Sequence, residues 1–194
     1  MKADTTDPDA ALLPALAGGD ARQWYAVYTH FRAEKMVAKR LTDSGITAFL
    51  PLQKTLRQWS DRKKMVERPI ISSYVFVRVS RREYARVLNT GGVARFITFG
   101  SLPVSIPEEQ MVNLRILSNS NIDIKVSEDL FIKGDMVEVA YGSLAGLKGE
   151  LIRVGKRHLV VMRVIESGLC LTVDINKSEI RKIRATEKNK RKAG

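Results

Sequence analysis

Residues 68–79 read RPIISSYVFVRV, and this stretch decides the fold. Tyr74-Val75-Phe76-Val77 is a run of aromatic and β-branched residues, the types that fit a packed, pleated strand. Its apolar side chains are consecutive, so both faces need cover and the strand belongs in the middle of a sheet. Pro69 has no N–H to give a neighbouring strand and marks the start of the segment. Ser72 and Ser73 fall where a bend would turn the chain into the sheet.

Working outward, residues 53–67, QKTLRQWSDRKKMVE, form two charged arms about a Ser60-Asp61 turn signal and predict a protruding β-hairpin. Residues 24–29, WYAVYT, predict a first strand. Between them Ala33, Val37 and Leu41 recur at i, i+4 and i+8, with Glu34, Lys35, Lys39 and Arg40 on other positions, which predicts an amphipathic helix with a polar outer face. Gly45 is placed to end it in a left-handed cap. Residues 1–22 carry aspartates, prolines and glycines without a period and read as a flexible leader.

Downstream, Ser80 and Glu83 have the spacing of a capping box for a helix that turns Tyr84, Val87 and Leu88 inward. Gly91-Gly92 stops it, and residues 93–99, VARFITF, predict one further strand. Pro107-Glu108-Glu109 opens a third helix with Met111, Leu114 and Leu117 on one face. Residues 23–118 therefore predict an α+β domain, an antiparallel sheet with helices on one face. Residues 119–129 read as a linker, although Ile122, Ile124 and Val126 alternate as an edge strand would. Short strands at close spacing over residues 130–183 predict a small antiparallel barrel of five strands, and residues 184–194 a basic tail drawn to polyanions.

The 194 residues include 33 lysines and arginines against 21 aspartates and glutamates, a net charge of +12, which favours a negatively charged partner. Cys170 is the single cysteine, so an intramolecular disulfide is excluded and a reducing cytoplasm is expected. No apolar run approaches the roughly 20 residues of a membrane span, and no membrane association is expected. His30 and His158 lie in different predicted domains without metal-ligand spacing, and no nucleophile elbow or phosphate loop is present. The expectation is a protein that is not an enzyme, with no metal and no cofactor.

The hairpin carries the clearest binding signal in composition. Arg57, Arg62, Lys63 and Lys64 surround Trp59; cations neutralise phosphates, and an exposed indole can stack on a base. Trp59 folded back onto the sheet is the other reading, and both stay open.

Residues 141–154, YGSLAGLKGELIRV, space Gly142, Gly146 and Gly149 with Leu144 and Leu147 and resemble the KOW motif; GDMVEV at 134–139 resembles its usual first strand. WYAVY at 24–28, SYVFV at 73–77 and GVARF at 92–96 resemble three signposts of the NusG amino-terminal (NGN) domain. The resemblance implies an NGN-type antiparallel sheet with helices on one face, followed by a small all-β KOW (SH3-like) barrel. It implies a transcription elongation factor that holds the clamp helices of RNA polymerase through an apolar patch and bridges the DNA channel.

Residues 50–78, LPLQKTLRQWSDRKKMVERPIISSYVFVR, are similar to the specialised UpxY-like paralogues, bacterial antiterminators of long polysaccharide operons. By matching position the resemblance assigns polymerase contact to Ile71 and Tyr74, with Phe49 and Tyr28 beside them, as an exposed apolar edge. Ser72-Ser73 stands where the general factor has Pro-Gly. Leu144 and Leu147 match the aromatic loop positions that meet Rho or a ribosomal protein; aliphatic side chains there imply a weaker Rho contact and antitermination over termination. The implied partners are RNA polymerase, non-template or upstream DNA or nascent RNA, and a ribosomal protein, met by a monomer. A general NusG-like factor and a ribosomal-type KOW RNA-binding protein are the alternatives.

Overall fold

The computed structural model describes residues 21–58, 63–127, 134–154, 157–164 and 169–183. Nearly all of the expected leader, the hairpin tip with Trp59 and Arg62, and the basic tail lie outside the described residues. The backbone groups into two compact units, one drawn from Met1–Leu52 and Ile71–Met111, the other from Gln53–Ile70 and Val112–Gly194.

In chain order the elements begin with β1 (Gln23–Thr29), α1 (Glu34–Asp43), β2 (Thr47–Phe49), β3 (Leu52–Gln58), β4 (Lys63–Pro69) and β5 (Tyr74–Val79). A 3-10 turn (Arg81–Glu83), α2 (Tyr84–Leu88), β6 (Val93–Phe96), β7 (Thr98–Phe99), β8 (Leu102–Pro103), β9 (Ser105–Ile106) and α3 (Glu108–Asn119) follow. The first unit's sheet runs β2-β5-β1-β6, with β9 also on β1. β5 thus has a neighbour on each side, as its two-faced apolar character demands, and pairs antiparallel with β1 from Gln23↔Val79 to Tyr28↔Tyr74.

Val27, Val75 and Val77 point from this sheet into a core shared with Val37 and Leu41 of α1 and Val87 of α2, every one of them fully buried. Burial of each such side chain contributes about 1.5–3 kcal/mol. Tyr25, Tyr84 and Phe96 close the cluster with ring centroids 4.6–6.1 Å apart, and burial drives the Tyr84 hydroxyl far above its ordinary pKa. α1 ends as its sequence predicts: Gly45 takes φ +81°, its N–H bonds the Thr42 carbonyl, and the Ile46 N–H bonds that of Leu41. The capping box also forms, with the Ser80 N–H 2.9 Å from Oε2 of Glu83.

One expected strand divides. Residues 93–99 keep pairing with β1 as far as Ile97, whose N–H bonds the Ala26 carbonyl, and Thr98–Phe99 then turns back on Leu102–Pro103. Gly100, at φ +62°, supplies the left-handed residue that so short a hairpin needs.

The second unit holds the β3–β4 hairpin and most of α3. It continues with β10 (Ile124–Ser127), β11 (Asp135–Val139), β12 (Lys148–Val154), β13 (Arg157–Arg163), β14 (Cys170–Asp174) and, after a 3-10 turn, β15 (Ile180–Lys182). Six strands run antiparallel in the order β10-β14-β13-β12-β11-β15, one more than the five expected. The sixth comes from the stretch read as linker: residues 124–127 pair with β14, and Ile124 is buried opposite Val173. The alternation of Ile122, Ile124 and Val126 was the true signal, since an apolar side chain gains more in a sheet than in a connection. Val137, Val139, Val160, Leu171 and Val173 are buried in this unit. Cys170 is buried as well, which pushes its thiol pKa up.

Candidate partner-binding surface

Cross-strand partners share a sheet face. Trp24 with Arg78, Ala26 with Phe76, and Tyr28 with Tyr74 therefore lie on the face opposite the one formed by Val27, Val75 and Val77. Along this face the side chains pass from buried Trp24, Ala26 and Phe76 to Tyr28, which is 36% exposed. The Tyr28 and Tyr74 rings meet edge to face, centroids 5.5 Å apart at 88°. Arg95, the partner of Tyr28 across β6, holds its guanidinium 5.5 Å from the Tyr28 centroid. Phe49, half-buried, faces Phe76 across β2 and β5 and so belongs to the same surface.

Of the four residues expected at the apolar edge, the fold brings Tyr28, Tyr74 and Phe49 to one face and withdraws the fourth. Ile71 is 2% exposed, a core residue and not an outward contact. The backbone bends between the two positions: Ser73 has φ +63°, so the chain before Tyr74 does not continue as a flat strand edge.

The two serines nevertheless build a defined turn. The Ser73 N–H bonds Oε1 of Glu34 at 2.7 Å, and the Ser73 carbonyl accepts the Thr29 N–H at 2.9 Å. Glu34 is only 7% exposed, which overturns its expected place on the polar face of α1. A carboxylate leaves water only when a donor meets it, and here the donor is a backbone amide whose own strand partner the bend has removed.

Phe31 and Arg95 were missed in the sequence. Phe31 is 80% exposed, and the guanidinium of Arg32 stands 4.9 Å from its ring centroid. The available signal was a large aromatic in the polar turn HFRAE between the first strand and helix.

In the hairpin, Lys63 and Lys64 are exposed on β4, while the side chains of Arg57, Trp59 and Arg62 lie outside the described residues. His30 is exposed and His158 half-buried. No group of three or more His, Cys, Asp or Glu residues is placed to hold a metal ion among the described residues. No helix among them is long and apolar enough to cross a membrane.

The glycine-spaced loop after β11 departs from expectation. Gly142 and Gly146 take φ +81° and +87° as turn glycines, but Leu144 and Leu147 are 2% and 1% exposed and offer no outward contact. The loop is drawn tight by the Gly146 N–H on the Val139 carbonyl and by Asn113 of α3. The Asn113 side chain donates to the Lys148 carbonyl at 2.9 Å and accepts the Lys148 N–H at 3.1 Å, as a neighbouring strand would. Leucines in so closed a loop turn inward, and Tyr141, 69% exposed, is what it presents to solvent.

Residues 22–115, just under half of the chain, match the family model described as transcription termination factor nusG. No curated protein matches the chain. Among solved structures, one described as domain interaction in Thermotoga maritima NusG is 21% identical, with a TM-score of 0.50, over 84% of this chain and 98% of that one. Two conformations of an MjSpt4:Spt5 complex are 17% and 18% identical over 82% of this chain and 97% and 96% of theirs, with TM-scores of 0.28 and 0.29. At such identity the likeness to the Thermotoga protein is one of fold: an antiparallel α+β unit and a β-rich unit in one chain.

Proposed function

We propose, from the premise that residues 22–115 are of the NusG family, that this chain is a non-enzymatic transcription elongation factor that binds RNA polymerase. The observation that carries the reading is the Tyr28–Tyr74 pair, Tyr28 exposed and Tyr74 half-buried, with Arg95 beside it on the sheet face opposite the α1–α2 core. Aromatics and arginine are the side chains that anchor protein interfaces, because they bury large area at little entropic cost. Tyr28, Tyr74 and Phe49 are the contacts, on the clamp helices of the polymerase; Ile71, being buried, is not one of them. Residues 23–118 supply the polymerase-binding domain, and the KOW domain takes in residues 124–127 along with 130–183.

The finer reading is antitermination in a long operon, of the UpxY kind. It is supported by the resemblance of residues 50–78 and by the exposed Lys63 and Lys64, which suit DNA or RNA phosphates beside the polymerase. Leu144 and Leu147, aliphatic and buried, argue against a strong Rho contact. Two measurements test the reading. Polymerase must remain with the chain after nuclease treatment, and the protein must increase run-through past a terminator; loss of polymerase with the nucleic acid, or unchanged termination, sinks it.

A further inference from the structure

Phe31 is the most exposed of the large apolar side chains among the described residues, at 80%. It does not hang from a loose loop. The turn that carries it is tied by the His30 N–H to the Gly92 carbonyl and by the Ala33 N–H to the His30 carbonyl, each at 3.0 Å. Arg32, the next residue, has φ +59°; it and Ser73 are the non-glycine residues with positive φ among those described. Side chains rarely adopt that conformation, and where they do the surroundings must impose it.

The two strained residues share a pattern. Each adjoins an exposed or half-exposed aromatic, Phe31 before Arg32 and Tyr74 after Ser73, and both belong to the same end of β1, since Thr29 bonds Ser73. Phe31 stands three positions after Tyr28, so their Cα atoms lie within about 11 Å whatever the shape of the turn. An ordinary interface, about 800 Å² on each partner, covers both. The charges that touch these rings are positive: Arg32 over Phe31 and Arg95 over Tyr28. The adjacent carboxylate, Glu34, is buried and held by the Ser73 N–H.

We infer that Phe31 and Arg32 form a second anchor for the partner that Tyr28 and Tyr74 contact, receiving an apolar side chain of RNA polymerase bordered by carboxylates. This rests on the polymerase reading above. Phe31 supplies the area, Arg32 the charge, and the left-handed turn holds both outward before binding, so little ordering is left for the encounter itself. Carboxylates complement the two guanidiniums and make association sensitive to salt.

The test measures the affinity of the full chain for purified bacterial core RNA polymerase, with Tyr74→Ala as the reference variant and thermal unfolding recorded alongside. Phe31→Ala weakens binding at least tenfold with an unchanged unfolding midpoint, because an exposed ring supports no core. Arg32→Gly raises the midpoint by relieving the turn, yet weakens binding several-fold and flattens its dependence on salt. If Tyr74→Ala weakens binding while Phe31→Ala and Arg32→Gly bind as wild type, the second anchor is wrong and the Tyr28–Tyr74 surface stands. If the wild-type chain does not bind polymerase, both fall.

Discussion

The carboxylate of Glu34, on the first turn of α1, holds the backbone N–H of Ser73 at 2.7 Å in the buried turn that leads into the central strand. One side chain thus joins the helix to the bend that delivers Tyr74. An L-residue in the left-handed region costs about 1–2 kcal/mol, and this hydrogen bond offsets it.

Removing the acceptor exposes that cost. Glu34→Ala leaves a buried N–H unpaired and lowers stability by about 1–3 kcal/mol. Ser73→Gly relieves the strain but frees the unfolded chain, so it raises stability by less than about 1 kcal/mol. Urea unfolding of both variants checks the pair; a Ser73→Gly protein less stable than wild type would contradict the strained turn.

Ile71 and Tyr74 separate fold from binding. Ile71→Ala opens a cavity in the core and costs about 2–5 kcal/mol. Tyr74→Ala, at a half-buried rim position, costs less stability and loses most of the polymerase retained in co-purification. Equal effects of the two on stability would remove the distinction.

Asn113 is expected to act as a substitute strand. Asn113→Ala leaves the Lys148 N–H and carbonyl without their side-chain partners and destabilises by about 1–3 kcal/mol. Asn113→Asp keeps the acceptor but sets a carboxylate oxygen against the Lys148 carbonyl, so it is no milder. Chemical denaturation followed by tryptophan fluorescence and by far-ultraviolet circular dichroism measures both.

Acid weakens the turn before α2. The Ser80 backbone N–H, with the Ser80 hydroxyl and Arg22, holds the Glu83 carboxyl below its ordinary value against a smaller opposing effect of burial. The folded carboxyl therefore binds its proton less tightly than the unfolded one. Its stabilisation is complete above pH about 4.3 and is lost as the pH falls through the lower folded value. Glu83→Gln lowers stability at neutral pH and makes its slope between pH 5 and 3 shallower by that group's share; an unchanged slope would rule the contribution out.

Much of the fold was legible because local chemistry and burial agree there. The consecutive apolar residues 74–77 required neighbours on both sides, and the Gly45 and Ser80–Glu83 signals ended and began helices where the bonds are found. The failures share a cause: they depend on what a side chain meets from a distant part of the chain. Glu34 reads as a solvated face until Ser73 supplies a donor 39 positions away. Leu144 and Leu147 read as contacts until Asn113, 35 positions before Lys148, closes their loop. Phe31 was missed for the opposite reason: exposure leaves no periodic trace, and its one signal was a large aromatic in a polar turn.

The pairing of β1 sets an order of events during synthesis. Its partners β5, β6 and β9 all follow it in the chain, the first of them beginning at Tyr74. At ~5–20 residues per second, the stretch between β1 and β5 takes roughly 2–9 s to emerge. Throughout that interval QWYAVYT has no sheet to join, and an unpaired apolar strand is a template for the wrong neighbour. α1, ten residues long, is marginal without the sheet it packs on and gives the waiting strand little cover. The nascent chain is therefore most exposed to aggregation and most dependent on chaperones before residue 79 leaves the ribosome, and a truncation ending ahead of β5 should be insoluble even though it retains an entire helix and its cap.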